Sequence, residues 1–68
     1  MTKHVLTVTM PVDCYAKFNA LQQLSEASAE LLLERALSVY DFLYREQAAG
    51  ARIVVQRPDG TEQGWRLP

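Results

Sequence analysis

The stretch from Ala29 to Ala49 constrains this chain more than any other. Leu32, Leu33, Ala36, Leu37, Tyr40, Leu43 and Tyr44 recur at helical spacing and form a wide apolar stripe. Leu31, Val39 and Phe42 extend it until the helix is apolar on nearly every side. A helix of that kind is buried on several sides at once. The chain has 68 residues, room for one domain that buries about 60% of its unfolded surface. A second copy is therefore the expected source of burial, and 49% apolar residues is ample material for a shared core. Cys14 is the single cysteine, so no internal disulfide takes that role. Cys14 and His4 fall short of the four ligands in paired spacing that a zinc site requires. Neither a metal nor a cofactor is expected.

The N-terminal stretch "HVLTVTMP", residues 4 to 11, raises the same question of a missing partner. Its strict alternation predicts a strand from Lys3 to Met10, with Leu6, Val8 and Met10 on one side and Val5, Thr7 and Thr9 on the other. One strand cannot stand alone in water. Two copies pairing antiparallel about a two-fold axis would solve this, with both apolar sides turned onto the helices.

Pro11 ends the strand and suits the entry to a helix. The spacing of Tyr15, Phe18, Leu21 and Leu24 predicts a helix from Val12 to Ser25, with Asp13 in its first turn and Lys17, Gln22 and Gln23 facing outward. Ser28 is a good N-cap for the second helix, Ala29 to Ala49, and Glu30 falls in its first turn. Gly50 is placed to end that helix in a left-handed conformation. Beyond it, Arg52 to Arg57 reads as a strand, Pro58-Asp59-Gly60 as a tight turn, and Thr61 to Leu67 as a weaker return strand. The expected fold class is mainly α with short β. Residues 1–50 carry the strand and helices, and 51–68 form a C-terminal hairpin tail.

The formal net charge of −1 is not the strongly basic balance that marks many nucleic-acid binders. No apolar run approaches the roughly 18 residues of a membrane span. The N-terminus also lacks the charged-then-apolar order of a signal peptide. The expectation is a soluble cytoplasmic protein with no membrane partner. No Ser/His/Asp grouping, nucleophile with a base in reach, or glycine-rich phosphate loop is present, so no catalytic residues are assigned. Glu26, Glu30 and Glu34 read as a solvated acidic face.

The run "VLTVTMP", a first helix carrying Phe18 and Leu21, and then "SAELLLERAL" resemble the ribbon-helix-helix (MetJ/Arc-type) DNA-binding family over residues 3 to 49. That resemblance implies an obligate homodimer whose intersubunit two-stranded ribbon enters the major groove of double-stranded DNA. It implies base contacts from Val5, Thr7 and Thr9, and phosphate contacts from Lys3, Ser28 and Ala29, with His4 near the ribbon's end. It implies a dimer core built from Leu6, Val8, Met10, Phe18, Leu33, Leu37 and Tyr40. The outward ribbon positions depart from the family habit of Arg, Lys, Asn or Gln. Val, Thr and Thr cannot make bidentate contacts to guanine or adenine, although threonine can hydrogen-bond base edges and a methyl can pack on thymine.

Two functional readings follow. One is a small transcriptional repressor or DNA-binding antitoxin, with dimers able to associate further on DNA. The other is an interaction module on the same fold, whose hairpin residues Ile53, Val55 and Trp65 bind a partner protein such as a toxin.

Overall fold

The computed structural model describes residues 3–68. The chain divides into a first unit ending at Leu32 and a second running from Leu33 to Pro68. Both are shorter than the roughly 40 residues below which a chain usually needs a staple or a partner.

The first helix, α1, spans Val12–Ser25 as its periodicity predicts. Pro11 precedes it in an extended conformation, with φ −58° and ψ 155°, and no side chain caps this end. The Pro11 carbonyl begins the helical ladder by accepting from the Tyr15 N–H at 2.9 Å. At the other end Glu26 adopts the left-handed conformation, with φ 53°. The Ala27 N–H then turns back to the Gln22 carbonyl at 3.3 Å. This is the usual way of satisfying the last carbonyls of a helix, here with glutamate where glycine is commoner. Gln22 corrects its outward assignment. It is half-buried, and its side-chain amide donates to the Ala27 carbonyl at 3.4 Å. A polar side chain near a helix end finds backbone acceptors in the chain that turns away from it.

The second helix, α2, spans Ala29–Ala48, one residue short of the predicted end. Ser28 is its N-cap: the hydroxyl accepts from the Leu31 N–H at 3.1 Å, while the Ser28 carbonyl accepts from Leu32 at 2.9 Å. Gly50 ends the helix with φ +97°. The Gly50 N–H donates to the Gln47 carbonyl and the Ala51 N–H to the Glu46 carbonyl, both at 3.0 Å. On the surface of α2, Arg45 pairs with Asp41 one turn earlier at 2.9 Å. The rings of Tyr40 and Tyr44 stack with centroids 6.0 Å apart.

The tail forms the antiparallel hairpin that the turn residues predict, from β1 (Ile53–Gln56) and β2 (Glu62–Trp65). The register pairs Ile53 with Trp65, Val54 with Gly64, Val55 with Gln63 and Gln56 with Glu62. The turn closes where the Gly60 N–H meets the Arg57 carbonyl and the Arg57 N–H meets the Thr61 carbonyl, both at 2.9 Å. Asp59 braces it by accepting from the Thr61 hydroxyl at 2.7 Å and the Thr61 N–H at 2.9 Å. Past β2 the chain returns to the end of α2, where the Leu67 N–H donates to Gln47 Oε1 at 3.0 Å.

Among the described residues each unit holds one buried apolar residue, Ala27 in the first and Leu67 in the second. Among the described residues the only ladder is β1 with β2. The strand predicted from Lys3 to Met10 is not formed among the described residues: this stretch carries no regular secondary structure and joins no sheet. No helix of the described residues is long and apolar enough to cross a membrane.

Candidate nucleic-acid interface

The predicted base-reading residues Val5, Thr7 and Thr9 are all exposed, Val5 at 96%. The alternate set is less uniform: Leu6 is 76% and Val8 51% exposed, while Met10 is half-buried. Residues 3–10 make no backbone–backbone hydrogen bond among the described residues.

The three predicted phosphate contacts come together at one place. Ser28 and Ala29 open α2. Lys3 reaches the same turn, with its Nζ 3.7 Å from Glu30 Oε1. Both side chains of this pair are about four-fifths exposed (81% and 77%), so the attraction holds Lys3 only weakly. The Ser28 hydroxyl already satisfies Leu31, so the donors left at this helix end are the N–H groups of Ala29 and Glu30. Glu30 sets a negative charge in the field an anion would use. Nothing in the sequence alone links Lys3 to Glu30, since their approach depends on how residues 3–11 lie beside the start of α2.

Of the predicted dimer-core residues, Met10 and Phe18 are half-buried, while Leu33, Leu37 and Tyr40 are exposed at 38%, 62% and 46%. Leu33, Leu37, Tyr40 and Tyr44 follow one another at spacings of four, three and four, so they lie along a single line on α2. The tail residues Ile53, Val55 and Trp65 share one face of the hairpin, by the alternation of the strands and the Ile53–Trp65 pairing. Ile53 is half-buried, and Val55 and Trp65 are each 48% exposed.

Comparison of the chain with family models, curated proteins and solved structures finds no match to any of them.

Proposed function

We propose that the chain is a homodimeric DNA-binding protein of ribbon-helix-helix type, a small repressor or antitoxin-like regulator. In this reading the stretches from Lys3 to Met10 of two copies pair as an antiparallel ribbon. Val5, Thr7 and Thr9 then face the major groove, and Lys3, Ser28 and Ala29 meet the backbone phosphates on either side. Further dimers add along the DNA. The observation that carries this reading is the alternating segment at residues 3–10, which has no backbone partner among the described residues and lies next to the open N-terminus of α2. The apolar line on α2 supports the dimer, since its side chains stay between 38% and 62% exposed in the single chain.

A gel-shift assay against fragments of the source genome at low salt tests it. Retention of a subset of fragments by a dimer is the expected result. No retention at about micromolar protein, where even non-specific binding to DNA is normally visible, sinks the proposal.

A second reading is favoured by the hairpin register, which unites Ile53, Val55 and Trp65 on one face. Here the chain is an interaction module that presents this face to a partner protein. Capture experiments with the full chain and with a Val55→Glu, Trp65→Ala variant separate the two readings. If both proteins hold the same partners, the hairpin is not the docking face.

A further inference from the structure

Between the end of α2 and the open end of the hairpin lies a concavity of about 380 Å³, within the size range of small-ligand sites. Gln47, Arg52, Ile53, Gly64, Trp65 and Arg66 line it. Three features of these residues point the same way.

The first is charge. Continuing the hairpin register one step past the Ile53–Trp65 pair sets Arg52 across from Arg66. Like charges facing one another across a strand pair repel. Among the described residues neither guanidinium has a carboxylate within ion-pairing distance, and no lining residue is acidic. Three of the chain's seven basic residues lie in this tail with only two acids, whereas the residues before it are net acidic. The second feature is hydrogen-bonding capacity. Gln47 Oε1 is already taken by the Leu67 N–H at 3.0 Å. The lining side chains are thus dominated by donors: two guanidinium forks, the Gln47 amide NH₂ and the indole N–H, against the single side-chain acceptor Gln47 Oε1, which already takes one bond. The third is space. At Gly64 a side chain would meet only Arg52 Nη2, 3.9 Å from where its first carbon would stand. The Arg52 guanidinium lies over bare backbone there, open to a ligand.

A doubly cationic hollow whose side chains are mostly donors favours an anionic acceptor. We infer that this concavity is a binding site for the phosphate or carboxylate of a small organic anion, held by Arg52 and Arg66 as a pair with Gln47 as a further donor. Planar guanidinium forks match both groups in geometry. A bound anion also removes the repulsion between the two arginines, so binding stabilises the open end of the hairpin. The site uses none of the residues assigned to DNA, and stands or falls apart from that role.

The test is a titration of the full-length chain with phenyl phosphate, benzoate and uncharged benzamide. It is followed by calorimetry and by the amide signal of Gly64 and the side-chain N–H signals of the arginines. Saturable shifts with phenyl phosphate or benzoate, and none with benzamide, are expected; which anion binds tighter distinguishes a phosphate site from a carboxylate site. Arg52→Gln and Arg66→Gln should each weaken binding about tenfold, the loss of one charge-assisted pair, while Arg45→Gln leaves it unchanged. Both arginines are exposed, and circular dichroism verifies that the variants fold. Shifts that fail to saturate by about 50 mM anion, well beyond a useful affinity, overturn the inference. So does binding that survives both substitutions, or a response to duplex DNA alone.

Discussion

Single residues mark where this chain departs from easy backbone geometry. Gly50 sits at φ +97° with nothing within 4 Å of where a side-chain carbon would go. Gly50→Ala is therefore a pure test of backbone strain, expected to cost about 1 kcal/mol in denaturant unfolding. Glu26 poses the reverse case at φ 53°. Glu26→Gly relieves the same strain at the end of α1 and is expected to raise stability by about 0.5 kcal/mol, once glycine's greater unfolded-state freedom is set against it. Asp59 is a third local device. The Thr61 hydroxyl, and after it the Thr61 N–H, hold its carboxyl below the ordinary carboxylate range. A carboxylate with a lowered folded pKa contributes stability above its unfolded value, about 3.9. That contribution fades as the pH falls from there through the lowered value. Thr61→Val removes the hydroxyl donor while keeping the β-branched shape, so the Asp59 carboxyl should titrate nearer its ordinary value. A proton-detected titration of the turn reads this directly. No change in the Asp59 midpoint would mean that the hydroxyl does not hold the carboxylate in solution.

At the scale of elements, the two helices end alike but begin differently. α1 opens on a proline without a side-chain cap, and α2 opens on a serine that caps Leu31. Ser28→Ala is expected to cost about 1 kcal/mol of stability, the ordinary value of an N-cap. If the proposed phosphate contact also runs through this turn, the same change weakens binding to all DNA sequences alike. Thr7→Ala and Thr9→Ala should instead relax the preference among sequences, and Lys3→Ala should lower affinity uniformly and flatten the salt dependence. The hairpin is too short to be stable as a free ribbon. Its attachment through Leu67 and Gln47 explains why a four-residue strand pair persists here. Gln47→Ala is expected to loosen the tail, seen as faster amide exchange in β1 and β2 with little change in α1.

For the molecule as a whole, the balance between apolar content and burial decides the argument. Leu33, Leu37, Val39, Tyr40, Phe42 and Tyr44 are all between 38% and 62% exposed on one helix. Covering the exposed part of each contributes about 1 kcal/mol, and several kcal/mol per copy is comparable to the whole stability of a small domain. Association of that strength makes folding concentration-dependent. The melting temperature should rise over a hundredfold dilution series read from low to high protein, and sedimentation should give a dimer. Leu37→Glu discriminates sharply. Leu37 is 62% exposed in the single chain, so a charge there costs little unless a second chain covers it. In a dimer that buries this line the carboxylate is desolvated, and the dimer should be lost. A Leu37→Glu protein with unchanged mass and melting temperature would remove the α2 stripe from the interface.

Elements whose signals lie within a few residues were legible in the chain. The spacing of Tyr15, Phe18 and Leu21 marked α1, Ser28 and Gly50 marked the ends of α2, and Pro58-Asp59-Gly60 marked the hairpin turn, because caps and turns follow from local sterics and backbone hydrogen bonding. The same alternation logic predicts a strand from Lys3 to Met10 with Val5, Thr7 and Thr9 on one side, but no strand forms there among the described residues, since a strand needs a neighbour to hydrogen-bond. Contacts that close through space were not legible. The approach of Lys3 to Glu30 and the Leu67–Gln47 bond join residues whose proximity no short-range pattern encodes. Local sequence determines which backbone conformations are low in free energy. Only the tertiary structure decides which side chains, brought near by those conformations, find one another.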